Sequence, residues 1–429
     1  MKTKIANKSY DEVLAMPQEK RKPPKRPNIF FRTLVRVLAA KDLIPAGFTY
    51  TKHDLERAGK GPYLILMNHS CFLDLEIVSA IFYPMAYCIV TTADGFVGKN
   101  WLMRQLGCIP TQKFVSDLSL IRDMDKMLHK KKTSVLMYPE ASYSFDGCAT
   151  PLPRKMGSLL KLLKVPVISI HADGAFLRNP LYNELKKRKV PVHADVTCLL
   201  TPEEIEAKSV DELDKILNEA FSFDHFRWQK ENQIEINESN RADGLERVLY
   251  KCPHCGSEGK TVGKGIHLTC HACQKKYTLT PLGEMQAENG ETEYSHIPDW
   301  YRWERECVRK ELIDGTYQMD TDVTIGMQVN TKAIYMVGEG HLLHDTTGFH
   351  LTGCDGKLNY EQKPQFSYGL YADYFWYEIG DVIAIGKRDC TYYCFPKKQG
   401  VVAKTRLAAE ELFKLSIKEH RQTKRHTKS

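Results

Sequence analysis

From residue 61 to about 200, short apolar runs alternate with stretches of helical period. The strand candidates are Tyr63–Met67, Tyr87–Thr91, Ser134–Tyr138, Val165–His171 and His193–Leu200. Between them, apolar positions recur at helical spacing near 71–82, 117–130 and 156–163. Such alternation predicts an α/β domain with helices flanking a largely parallel sheet. Residues 201–235 continue as helix, and the polar stretch 236–245 reads as a linker. The pattern then changes. IPDWYRWERECVRKEL predicts a short helix, and about seven strand-like runs rich in Tyr, Phe, Val and Thr follow between 317 and 397. AKTRLAAEELFKLSIKEH, 403–420, closes the series as a helix.

The N-terminal segment has its own pattern. KRKPPKR, 20–26, is basic and proline-punctuated, and is expected to be extended. NIFFRTLVRVLAAKDLIP behind it predicts a helix capped by Asn28 and ended before Pro45. Phe30, Leu34, Val37 and Leu38 share one face, and Arg32 and Arg36 share another. A basic amphipathic helix behind a polybasic arm suits a membrane surface. The alternative is that its apolar face packs on the domain. The expected division is a basic flexible arm at 1–27, an α/β domain at 28–240 with its amphipathic helix at 28–44, a small unit at 246–283 and a β-rich module at 297–420.

Composition narrows the class only a little. A chain of 429 residues has room for two or three domains. Hydrophobic content of 42% and aromatic content of 10% exclude overall disorder. The net charge of +8 suits an anionic membrane face, an anionic substrate or nucleic acid, and does not choose among them. No run approaches the roughly 18 consecutive apolar residues that a spanning helix needs. MKTKIANKSYDEV lacks the apolar core of a signal peptide. Of 13 cysteines, four have metal-ligand spacing and the rest are scattered, which suits a reducing cytoplasm.

The chemistry begins at YLILMNHSCFLD, 63–74, where an apolar run ends in His69 with Asp74 five positions on. A histidine removes a hydroxyl proton well near neutral pH. A carboxylate on its other ring nitrogen fixes the tautomer and steadies the imidazolium. Alone, the pair is a weak signal, and a structural histidine is the plainer reading. More of a pattern is present, however. NHSCFLD resembles the NHxxxxD block of the glycerolipid acyltransferases, the family of 1-acylglycerol-3-phosphate acyltransferases. YPEASYS, 138–144, resembles that family's FPEGTRS block, and GCIPTQK, 107–113, its Gly-x-Ile block. PRKMGS, 153–158, and VPVISI, 165–170, stand where the family has a Pro-x-Lys-x-Gly stretch and a Val-Pro-Val strand.

The resemblance implies an acyltransferase-type α/β catalytic domain over roughly residues 30–230. It implies His69 as general base and Asp74 as its orienting partner. Gly107, Ile109, Lys113, Glu140, Ser142, Tyr143 and Lys155 would shape or charge the substrate site. The donor implied is a fatty acyl thioester on coenzyme A or acyl carrier protein, with direct transfer and no acyl-enzyme. Ser70 and Cys71 lack the glycine-flanked elbow of covalent nucleophiles and read as structural. Tyr143 stands where the family has an arginine that meets the acceptor's phosphate, and tyrosine supplies neither its charge nor its fork of donors.

Cys252, Cys255, Cys270 and Cys273 form C-x2-C-x14-C-x2-C. Two thiolate pairs on two turns complete a tetrahedral zinc shell, so a structural zinc ribbon is expected there. The strand-and-helix order of the last module is similar to pleckstrin-homology-like barrels. The combined expectation is a cytoplasmic enzyme, peripheral on the inner face of the membrane. It would acylate a lysophospholipid hydroxyl, 1-acylglycerol-3-phosphate first, in phospholipid biosynthesis. The expected partners are the lipid substrate, the membrane surface and acyl carrier protein, with nucleic acid not expected. The alternatives are a different lipid or alcohol acceptor, and an inactive acyltransferase fold acting through its zinc ribbon.

Overall fold

In the computed structural model, which describes residues 3–17, 19–115, 117–387, 389–398 and 400–426 (side chains to residue 417), the chain forms three sheets. After a short N-terminal strand, β1 (Ile5–Asn7), seven strands build the first sheet. These are β2 (Thr49–His53), β3 (Leu64–Met67), β4 (Tyr87–Thr92), β5 (Cys108–Thr111), β6 (Ser134–Met137), β7 (Val167–Asp173) and β8 (His193–Leu200). Their order is β2-β8-β7-β3-β6-β4-β5. Strands β7, β3, β6, β4 and β5 run parallel, and β8 is antiparallel to β7. The unbroken apolar runs of β3 and β6 are buried at every position, because helices cover both faces of the sheet. The carboxyl ends of β3, β6, β4 and β5 therefore lie side by side along one edge, where ligands bind in such sheets.

The second sheet is small and antiparallel, in the order β12-β11-β10-β9, from β9 (Thr261–Lys264), β10 (His267–Cys270), β11 (Lys276–Leu279) and β12 (Met285–Ala287). The third holds β13 (Met319–Gln328), β14 (Ile334–Asp345), β15 (Gly348–Gly353), β16 (Leu358–Gln362), β17 (Tyr371–Trp376), β18 (Gly380–Lys387) and β19 (Cys390–Pro396). Along the path β16-β15-β14-β13-β19-β18-β17 every pairing is antiparallel, β1 joins β14 off this path as the eighth strand, and helix Val401–His426 follows. Helix Ile297–Ile313 joins the second unit to the third. Its Trp300 is fully buried and donates from Nε1 to the Lys251 carbonyl at 2.9 Å.

Two segments depart from expectation. The arm 1–27, read as flexible, is pinned at several of its described residues. β1 pairs in parallel with Ile334–Met336, the part of β14 that β15 leaves unpaired. Ser9 and Glu12 form a capping box on the helix Tyr10–Leu14, whose Val13 is fully buried. Arg21 bridges Asp117 at 3.3 Å and Asp123 at 2.8 Å. The stretch 236–245 is packed rather than a linker: Ile236 and Ala242 are buried, and Arg241 Nε donates to the Leu279 carbonyl at 2.7 Å.

Helix Ile29–Leu43 forms as read, with the Asn28 side chain accepting from Phe31 N at 3.1 Å. Ala39 and Leu43 are its buried residues. Phe30, Leu34, Val37 and Leu38 face outward, with Phe30 65% exposed. Trp101, also exposed, meets Phe31 edge to face at 5.9 Å. This apolar face has no cover among the described residues.

Candidate active site

The site is assembled where β3 and β6 end. Asn68 follows β3 directly, and its side chain donates to the Ala172 carbonyl at 3.0 Å while accepting from Ala172 N at 2.8 Å. That double bond to the neighbouring strand fixes the exit from β3. His69 is the next residue, and Asp74 sits in the first turn of helix Leu73–Phe82. Asp74 Oδ2 accepts from Ser70 N at 2.7 Å and Cys71 N at 3.1 Å, and lies 2.9 Å from His69 Nδ1. A carboxylate held by backbone donors can only accept from the ring, so the proton sits on Nδ1 and Nε2 keeps its lone pair. The His69 side chain is 21% exposed, and Asp74 only 1%. Burial lowers the His69 pKa, against the pull of Asp74, and the Lys113 charge lowers it further. The imidazole is thus neutral at pH 7 and ready to take a proton.

The YPEASYS loop closes over the same imidazole. Tyr138 stacks on His69 at 3.9 Å between ring centroids, and Tyr143 lies tilted at 4.4 Å. Glu140 is fully buried and ties three segments together. Its Oε1 accepts from His69 N at 3.3 Å and its Oε2 from Thr150 N at 3.0 Å. Burial pushes the Glu140 carboxyl up to about 8 despite these bonds. Ser144 N donates to the His69 carbonyl at 3.1 Å. Glu140 accordingly holds the loops that carry the base.

Ala141 occupies the left-handed region at φ +59°. A side chain there costs about 1–2 kcal/mol relative to glycine's freedom. Ala141→Gly is expected to raise stability by about 1 kcal/mol. Urea unfolding with an unchanged or lower midpoint would contradict this.

The other residues singled out in the sequence divide. Lys113, past the end of β5, places Nζ 4.0 Å from the centroid of Tyr371, and burial lowers its pKa. Ser142, 2% exposed, accepts from Arg406 Nη2 at 3.1 Å. Gly107 lies against Pro27: a Cβ there would come within 2.8 Å of the proline ring, at a φ of +83°. Ile109 is fully buried in the apolar core. Lys155 is exposed at the N-cap of helix Met156–Leu163. Cys71 is buried, its Sγ donates to the Ala175 carbonyl at 3.6 Å, and burial holds its thiol well above the usual range. It stays a thiol.

The structure adds residues that sequence reasoning missed. Strand β17 brings Tyr371 and Asp373 beside Lys113. Tyr371 donates to Asp94 Oδ2 at 2.8 Å, and burial pushes Asp373 up to about 6 while Lys113 pulls it down. A cavity of about 180 Å³ opens here, lined by Asp94, Lys113, Arg21, Asn330 and Tyr371 among others. The third sheet thus forms one wall of the region around Lys113.

The four cysteines also converge. Their Sγ atoms all lie within 4.8 Å of one another, with Cys252–Cys273 and Cys255–Cys270 each at 3.8 Å. A tetrahedron with metal–sulfur bonds of about 2.3 Å has edges near 3.8 Å, so the set fits zinc. Four sulfurs leave no open position for chemistry. Nearby, Lys404 of the last helix bridges Glu258 and Glu311, each at 2.7 Å, and Lys251 bridges Glu258 at 3.1 Å. The cysteine unit is thereby locked to the final helix.

Comparisons with known proteins address the first domain. A comparison with curated proteins gives no match. Among solved structures, the chain is similar to the 1-acyl-sn-glycerophosphate (LPA) acyltransferase PlsC from Thermotoga maritima. The two are 16% identical over 44% of this chain and 76% of that chain, with a TM-score of 0.35. The family model Acyltransferase matches residues 48–172. Those residues carry His69, Lys113 and Glu140 just past the carboxyl ends of β3, β5 and β6, with Asp74 in the helical turn that follows β3, and they form an Acyltransferase domain.

Proposed function

We propose that this protein transfers a fatty acyl group from an acyl thioester to a lysophospholipid hydroxyl, with 1-acylglycerol-3-phosphate as the first choice of acceptor. The observation that carries the reading is the His69–Asp74 pair at 2.9 Å, inside the matched segment, with Nε2 left unprotonated. The acceptor hydroxyl gives its proton to Nε2 as its oxygen attacks the thioester carbonyl. Asp74 steadies the imidazolium. The tetrahedral intermediate collapses, the thiolate leaves, and the imidazolium returns the proton to it. Coenzyme A and acyl carrier protein both meet the chemistry required of the carrier. The buried thiol of Cys71 favours direct transfer over an acyl-enzyme.

One observation favours a second reading. Tyr143 occupies the position where the resembled family carries its phosphate-binding arginine, which suits a neutral acceptor. The test is a comparison of lysophosphatidic acid with a monoacylglycerol under one donor. Higher kcat/KM for lysophosphatidic acid supports the first reading, and the reverse promotes the second.

The same proposal places the enzyme in the cytoplasm, on the inner face of a membrane. No helix among the described residues is long and apolar enough to cross one. The support is the uncovered face of Ile29–Leu43 with Lys25, Arg26 and Arg36 close in sequence. Burying one such side chain contributes about 1.5–3 kcal/mol. Phe30→Ser with Val37→Ser is therefore expected to weaken co-sedimentation with anionic liposomes at least tenfold. Unchanged co-sedimentation would refute the placement.

A further inference from the structure

Arg406 lies on the last helix, Val401–His426, yet its side chain reaches the YPEASYS loop of the first domain. Nη2 donates to Ser142 Oγ at 3.1 Å and to Thr150 Oγ1 at 3.3 Å. Nε donates to Glu410 Oε1 at 3.2 Å, and the guanidinium carbon lies 4.0 Å from the Phe145 ring centroid. The residue is 4% exposed. Its Nη1 is buried and meets no hydrogen-bond partner among the described residues. A buried guanidinium N–H left unbonded is costly, so it marks a place where an acceptor belongs.

Arg406 does not hold its carboxylate partner alone. Glu410 is shared with Arg305 at 2.7 Å, and Glu411 pairs with Arg305 at 3.1 Å and with Lys414. Arg305, Arg406 and Lys414 thus share Glu410 and Glu411, and Asp146 also lies within the influence of Arg305 and Arg406. The charge of Arg406 also acts on Glu140 and Lys113, which act on His69 in turn, and on Asp373 beside Lys113. Its hydrogen-bond partner Ser142 immediately precedes Tyr143, where the resembled sequences carry arginine.

We propose that Arg406, supplied by the C-terminal domain, is the guanidinium contact for the phosphate of the acceptor, with Lys113 as the second cation. The inference rests on the reading that the His69 centre acylates a phosphorylated glycerolipid. The phosphate site is then composite: one domain holds the base and the other the phosphate's main ligand. With Nη2 on Ser142 and Thr150 and Nε on Glu410, the guanidinium has the N–H groups of Nη1 left to offer to a phosphate oxygen. The C-terminal domain is accordingly a part of the enzyme that sets acceptor choice.

The test compares Arg406→Gln and Arg406→Lys with the wild type on lysophosphatidic acid and on a monoacylglycerol at fixed acyl-coenzyme A. Arg406→Gln is expected to raise KM for the phosphorylated acceptor about ten- to a hundredfold. Its loss of kcat/KM on the neutral acceptor should be at least about tenfold smaller than its loss on the phosphorylated one, and Arg406→Lys should fall between Arg406→Gln and the wild type. Equal losses on both acceptors would show a purely structural role and overturn the proposal, as would no loss on either. Glycerol 3-phosphate provides a readout that needs no glutamine variant. It should bind the wild-type protein in calorimetry, and bind Arg406→Lys at least severalfold more weakly. Absence of binding to the wild type overturns the composite site. Binding without acyl transfer to either acceptor would leave this site standing and sink the acyltransferase reading instead.

Discussion

His69→Ala is expected to abolish acyl transfer while leaving the circular dichroism spectrum unchanged. The imidazole is a neutral base held against both motif loops, and its Nε2 is the atom left to take the acceptor's proton. General-base catalysis by a positioned side chain contributes about 10²- to 10⁴-fold. The loss should appear in kcat, because the ring is poised for the transition state rather than for ground-state binding. Asp74→Asn should cost rate through the tautomer: an amide in place of the carboxylate no longer holds the proton on Nδ1. The pH dependence follows from the lowered His69 pKa. The base stays neutral as pH falls past its ordinary value of 6.5, so the acidic limb of kcat/KM should lie below that value. An acidic limb above it would mean that another group is being titrated.

The second large effect concerns the cysteine cluster. Freshly purified protein is expected to hold one zinc ion, and Cys252→Ser to release it. Binding of structural zinc is worth about 10–16 kcal/mol and is largely folding energy. Residues 250–275 should then become protease-sensitive. The sequence alone suggests that activity would survive, since the cluster stands apart from His69. The structure argues otherwise. Lys251, Glu258 and Lys404 lock the cluster to the last helix, and Arg406 lies two residues beyond Lys404 on that helix. Loss of metal should therefore impair acylation of a phosphorylated acceptor more than that of a neutral one. Elemental analysis showing no zinc in fresh protein would contradict the account of the cluster.

What was legible in the sequence had a local physical cause. β3 and β6 show as apolar runs because both of their faces are buried. Asn28 announces its helix because a cap is a matter of one side chain and one turn. The four cysteines show through spacing alone. His69 and Asp74 are five residues apart, so one strand end and one helical turn suffice to join them. The missed elements had no such cause. β2 is exposed at every position and leaves no burial pattern, and β5 carries Pro110, which disguises a strand. The arm 1–27 looked flexible because its anchor, β14, lies in the far half of the chain. Arg406 is 264 residues from the serine that it contacts, and no window of sequence brings them together. The His69–Asp74 pairing was thus readable, while the wall near it, from β17 and the last helix, emerged only in the fold.

The central claim is acyl transfer to a lipid hydroxyl with His69 as the base. Its most direct test is mass spectrometry of lipid products after purified protein meets acyl-coenzyme A and lysophosphatidic acid, with His69→Ala run in parallel. The account predicts accumulation of diacylated product with the wild type and none above background with the variant. Equal product from both proteins would contradict it.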